Sequence, residues 1–187
     1  MIESPFMKLN IVKIGNPVLR KKTRLIPRSP SRLKKLLSFL KNMTATMRLA
    51  QGVGIAANQV GVGSRIFVME CRGNRRYPQV ESFPLQAYLN PKIIRYSRAK
   101  TSGWEGCLSI PGFRGKVVRS RRVILSAMTP EGRKVQKTFY GFEARVVQHE
   151  VDHLNGFFYI DRMKNFRTWT HLEELNKRLH YPVRDKK

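Results

Sequence analysis

Leu33, Leu36, Leu37, Leu40 and Met47 recur at helical spacing, and Lys34, Lys41 and Arg48 follow the same period on another side. With Ser29 as cap and Pro30 in the first turn, the pattern predicts a helix running to about Ala50, its leucines packed in the core. Beyond it the runs shorten. Residues 65–69, 117–118, 123–125 and 135–139 are short apolar or β-branched stretches separated by turns such as Pro130-Glu131-Gly132, and they predict strands. Helical spacing returns over residues 142–155, with Glu143 in the first turn and Asn155-Gly156 as a stop. A last helix is predicted over residues 165–179, where Leu172, Leu175 and Leu179 share a face. The order helix, antiparallel strands, helix, terminal helix predicts an α+β domain whose strands pack around the helix of residues 142–155.

Composition narrows the picture. The 187 residues, 41% hydrophobic, suffice for one compact domain, 1–187, and no shift in composition marks a second. Only Cys71 and Cys107 occur, which is no disulfide framework and points to a reducing compartment such as the cytoplasm. Residues 1–8 lack the basic start and apolar run of a signal peptide, and no stretch approaches the ~18 apolar residues of a membrane span. Neither secretion nor a membrane is expected, and no oligomer is implied.

Charge changes more. The 37 basic and 12 acidic residues give +25, far beyond what solubility needs. Residues 1–50 are the most lopsided, with Arg20, Lys21, Lys22, Arg24, Arg28, Arg32, Lys34, Lys35, Lys41 and Arg48 set against Glu3 alone. A polyanionic partner such as RNA is implied, through contacts that release counterions and carry no sequence specificity.

The chemistry is concentrated in His149-Glu150-Val151-Asp152-His153. On a helix, imidazoles at i and i+4 lie one turn apart on one face and can share an ion, with Glu150 about 100° around the axis and within reach of a water on that ion. The pattern alone also fits a helix with two solvated histidines. A third ligand decides between them, and Glu105-Gly106-Cys107-Leu108-Ser109 offers one; upstream lies Gly52-Val53-Gly54-Ile55-Ala56-Ala57-Asn58-Gln59.

Taken in order, GxGxAAxQ, EGCLS and HExxH resemble the three signature motifs of the peptide deformylases, which remove the N-formyl group from the initiator methionine of new polypeptides. No defining position is substituted. The likeness runs from residues 14–20 to residues 157–162, nearly the whole chain, and starts just after Met7, which is therefore a second candidate start beside Met1.

The resemblance implies a role for each matching residue. Cys107, His149 and His153 would hold one divalent metal and leave a fourth position open to water, with Glu150 moving the proton. The Gln59 side chain and the Leu108 backbone N–H would donate to the oxygen that gains charge in the reaction. Leu108 is replaced in some less active organellar relatives, whereas this chain keeps the common residue. Gly54 would admit the substrate chain closely, and Val53, Gly106, Phe142 and Val146 would form the methionine pocket. Arg114 would pair with Glu105 and support the loop. Fe²⁺ is the implied working ion, with attendant oxygen sensitivity, and Zn²⁺, Ni²⁺ or Co²⁺ could substitute. The partners implied are a formylated nascent peptide and, through the basic surface, the ribosome or its RNA. One candidate contact is the C-terminal segment with Lys177, Arg178, Arg184, Lys186 and Lys187, diluted by Glu173 and Glu174 and broken at Tyr181-Pro182-Val183.

Two other classes share parts of this pattern. A zinc endopeptidase would use HExxH but would commonly find its third ligand downstream, where only His171 and Glu173 stand at unfamiliar spacing. A non-enzymatic RNA-binding protein would account for the charge and leave the metal constellation unexplained.

Overall fold

The protein is described by a computed structural model covering residues 6–27, 33–72 and 82–178. Among the described residues eight strands and three α-helices follow in order: α1 (Leu33–Leu49), β1 (Gly54–Ala56), β2 (Ile66–Cys71), β3 (Phe83–Tyr96), β4 (Lys100–Cys107), β5 (Ile110–Ser120), β6 (Arg122–Met128), β7 (Lys134–Tyr140), α2 (Gly141–Leu154), β8 (Thr170–His171) and α3 (Leu172–Arg178). They build a mixed α/β fold with two sheets, one in the order β1-β2-β3-β6-β7 and one in the order β4-β5-β8, with every strand pair antiparallel. Among the described residues no helix is long and apolar enough to cross a membrane.

Two apolar layers hold the larger sheet between helices. On one face Ala144, Val147, Val151 and Leu154 of α2 pack with Phe67, Met69, Leu125 and Phe139. On the other, Leu40, Met43 and Met47 of α1 cover Ile55, Ile66, Val68 and Leu89. The expectation that all the α1 leucines are core needs correction, because Leu33 and Leu37 are exposed by 38% and 46%. The packed stripe is Leu36, Leu40, Met43 and Met47, spaced four, three and four; Leu37 sits about 100° off it, and Leu33 begins the helix. Ser29 and Pro30 lie outside the described residues, as do Leu179 and the basic tail with Arg184, Lys186 and Lys187.

Two further differences from the sequence reading have a tertiary cause. β3 spans 14 residues that its prolines concealed, and Pro91 is accommodated because the ladder to β6 shifts register between Leu89 and Lys92. The segment expected as one helix over residues 165–179 is instead a 3-10 turn (Phe166–Thr168), then β8, then the short α3. Packing overrides helical spacing there: Trp169 stacks on Phe113 at 4.3 Å and its Nε1 donates to the Tyr159 hydroxyl at 3.1 Å, which draws Thr170 and His171 into register with Arg114 and Phe113.

Candidate active site

Three separate parts of the chain converge on one cleft. The first is the 3-10 turn after β1 (Ala57–Val60), which buries Asn58 and Gln59. The second is the turn joining β4 to β5, where the register breaks between Glu105 and Cys107 and swings Cys107 and Leu108 toward the first. The third is α2. Its N-terminus has no side-chain cap, so its stability comes from burial along most of its length. Its C-terminus closes on Gly156 in the left-handed conformation, and the Asn58 amide donates to the His153 carbonyl at 2.6 Å, pinning the helix end to the first turn.

Cys107 Sγ lies 3.1 Å from His153 Nε2, which lies 3.2 Å from His149 Nε2. Among the described residues these three form the group able to hold a metal, their ligand atoms all within 4.8 Å of one another. One sulfur and two imidazole nitrogens suit a borderline-soft divalent ion, and the residues fit such an ion well. Of the two downstream candidates for an endopeptidase ligand, His171 sits on β8 against Phe113 and Glu173 on α3, and neither belongs to this group.

Glu150 points into the same cleft with Oε2 buried and without a hydrogen-bond partner. Burial pushes its carboxyl up to about 7. Opposite Glu150 the β1 backbone carries no side chain: a Cβ on Gly54 would fall on the Glu150 carboxylate. Within the protein the close neighbour of Gly54 is this carboxylate. The Gln59 amide is oriented by the Ala56 N–H, which donates to its Oε1 at 2.8 Å, and its Nε2 donates to Cys107 Sγ and Ser109 Oγ, both at 3.3 Å. Val53, Gly106, Leu108, Phe142 and Val146 line the cleft as well, while His153 sits behind it, fully buried.

Behind the ligands lies a buried charge network. Glu105 accepts from His149 Nδ1 at 2.9 Å, which leaves His149 Nε2 facing Cys107 and His153. Burial works against ionisation of Glu105, but the Arg119 charge and hydrogen bonds from His149 and Arg119 outweigh it and hold the carboxyl well below the usual range. The partners of Glu105 are Arg119, at 3.0 Å to each oxygen, and Arg145, at 2.8 Å. The expected pairing with Arg114 is not formed. That guanidinium donates to the Phe113 carbonyl and packs where a Cβ on Gly106 would stand, since β5 turns it to the cleft side of the hairpin. Sequence reasoning missed Arg145, Arg119 and Asn58. Arg145 was within reach, because it stands one helical turn before His149 and so faces the same carboxylate.

A sequence model of the family described as polypeptide deformylase matches residues 8–169. Peptide deformylase 1 of Prochlorococcus marinus (strain MIT 9313) is 40% identical over 154 residues, 82% of this chain and 79% of that protein. The peptide deformylase of Leptospira biflexa is 37% identical over 167 residues, 89% of this chain and 93% of its own. Among solved structures, the class I type b peptide deformylase from Acinetobacter baumannii bound to Met-Ala-Ser aligns with a TM-score of 0.79 at 37% identity, covering 85% of this chain and 100% of that one. The enzyme from Thermotoga maritima aligns at 0.74 with 34% identity, covering 85% and 99%.

Proposed function

Because the chain belongs to the polypeptide deformylase family, metal-dependent hydrolases that remove the N-formyl group from nascent peptides, we propose which of its residues carry that reaction. Cys107, His149 and His153 hold one divalent ion, and Fe²⁺ is the working metal, with Zn²⁺, Ni²⁺ or Co²⁺ able to take its place on the same donor set. When bound, the ion supplies Lewis acidity toward water and the formyl oxygen. The observation that carries this assignment is a thiol and two imidazoles converging beside the buried Glu150 carboxylate, whose Oε2 has no hydrogen-bond partner.

Glu150 takes a proton from water as the water oxygen bonds to the formyl carbon. It then returns that proton to the substrate nitrogen as the C–N bond breaks, releasing formate and a free α-amine, its burial favouring the protonated carboxyl between the two steps. Charge that builds on the former carbonyl oxygen is met by the Gln59 Nε2–H and the Leu108 backbone N–H. Val53, Gly106, Phe142 and Val146 border the methionine side chain, and Gly54, which also leaves space for Glu150, admits the substrate chain closely. The whole chain acts as one catalytic domain in the cytoplasm, at ribosomes contacted through its basic surface.

The test is anaerobic hydrolysis of a formyl-Met-Ala-Ser peptide by wild type and Glu150→Ala, with metal measured on the same samples. Formate release should fall about 10²–10⁴-fold in the variant with one metal per chain retained. Undiminished turnover would remove Glu150 from the mechanism, and an inactive wild type with a full metal site would remove the substrate.

A further inference from the structure

Residues 95–100 and 119–122 together hold six basic residues among ten and no acidic one. They form the turns β3–β4 and β5–β6 with their flanks, and the fold zips one turn onto the other. Ser97 N–H donates to the Arg122 carbonyl and Arg121 N–H to the Ala99 carbonyl, each at 2.9 Å, while Ser120 Oγ donates to the Ser97 carbonyl at 3.0 Å. Two basic stretches about twenty residues apart thus become one basic corner. Beside it opens a groove of about 510 Å³ whose walls include Tyr96, Arg98, Lys100, Asp152 and Arg162.

Charge balance separates the cations that hold the fold together from those that do not. Arg119 is matched by Glu105 and Asp152, and Arg162 donates to the same Asp152 at 2.7 Å, so the one acid of the groove is already shared. Arg95, Arg98, Lys100, Arg121 and Arg122 are exposed and, among the described residues, none of the five is ion-paired. Arg98 and Lys100 on the groove wall, with Arg121 in the adjoining turn, are cations without an ion pair that raise the local potential, and a chain of phosphates relieves it while releasing counterions. Tyr96, 56% exposed among them, offers a ring face on which a base can stack. The C-terminal helix is a poorer anchor: Lys177 is held by Glu174 at 2.7 Å, and Glu173 adds a second negative charge.

The groove also has a fixed relation to the cleft. Gln148 and Asp152 face the groove, whereas His149 and Glu150 face the cleft, so α2 forms a wall of both. An anchor on one side of α2 leaves the other side open to an emerging peptide.

We propose that this corner is a docking groove for the phosphodiester backbone of ribosomal RNA. It deepens, and rests on, the ribosome contact proposed above, and it assigns that contact to the β3–β4 and β5–β6 turns. The test compares Arg98→Ser/Lys100→Ser/Arg121→Ser with Lys34→Ser/Lys35→Ser/Lys41→Ser, which removes the same charge from α1 on the opposite face of the larger sheet. Binding to isolated large ribosomal subunits is titrated from about 50 to about 200 mM salt, the range over which phosphate contacts show most clearly. The corner variant should bind at least ~10-fold more weakly and lose about 2 from the slope of log affinity against log salt; the α1 variant should stay within about threefold of wild type. Equal losses in the two variants, or none in the corner variant, would overturn the proposal. Formate release from free peptide is read on the same samples, so that a fault in docking is distinguished from a fault in folding or catalysis.

Discussion

Glu150 owes its place to a residue with no side chain. Its carboxylate lies against the β1 backbone at Gly54, in space that any Cβ would fill. Gly54→Ala should therefore displace the carboxylate while leaving Cys107, His149 and His153 untouched, lowering turnover of a formyl peptide about 10²-fold with metal content unchanged. Unaltered turnover would show that the carboxylate position is not needed. The same scale explains why Arg114 was the wrong partner for Glu105. Both arginines are buried, and spacing along β5 does not tell which one faces Glu105; the hairpin register sets Arg119 across from Thr101 while Arg114 lines the cleft. Removing either arginine from that buried group leaves charge uncompensated.

Among the elements, α1 was legible as a helix long before its packed face was. Counting leucines predicts a broad core face, but burial follows the narrower stripe through Leu40, Met43 and Met47. Thermal or denaturant unfolding checks this: Leu40→Ala should cost about 2–5 kcal/mol, and Leu37→Ala, from a site 46% exposed, about 0.5 kcal/mol or less. Similar losses at the two sites would contradict the stripe. β3 shows the opposite failure, a long strand hidden by prolines that its bulge tolerates. The terminal segment fails for a third reason, since the Phe113–Trp169 stack and the Trp169–Tyr159 hydrogen bond fix an extended stretch where the apolar spacing suggests a continuous helix.

For the whole molecule, +25 makes each of the few carboxylates count. Glu70 is buried at the end of β2, where hydrogen bonds from Arg48 at 2.7 and 3.0 Å hold its carboxyl below the usual range, against the opposing effect of burial. A carboxyl depressed in the folded state stabilises it fully above the unfolded value of about 4.3, and that contribution is lost as pH falls through the folded value. Acid also raises the net positive charge and its self-repulsion. Tm should therefore fall from pH 6 to pH 3, and Glu70→Gln should start lower at pH 6 and fall less over the same range. Parallel curves for the two proteins would rule out this role for Glu70.

By itself the sequence predicted an α+β domain, a helix running to about Ala50, a helix over residues 142–155 and four of the strands, and the likeness of its three motifs to a known family pointed to the residues that gather at the cleft. Those features are written locally, in the period of apolar positions and in motifs whose members stand a turn or a few residues apart. The tertiary structure decided what depends on neighbours distant in sequence. It selected Arg119 and Arg145 as the partners of Glu105, made Gly54 the seat of Glu150, turned residues 170–171 into a strand and zipped two basic turns into one corner. The physical reason is common to all four. Register, burial and charge compensation are properties of pairs that meet only after the chain has folded, and no local period encodes which pairs those are.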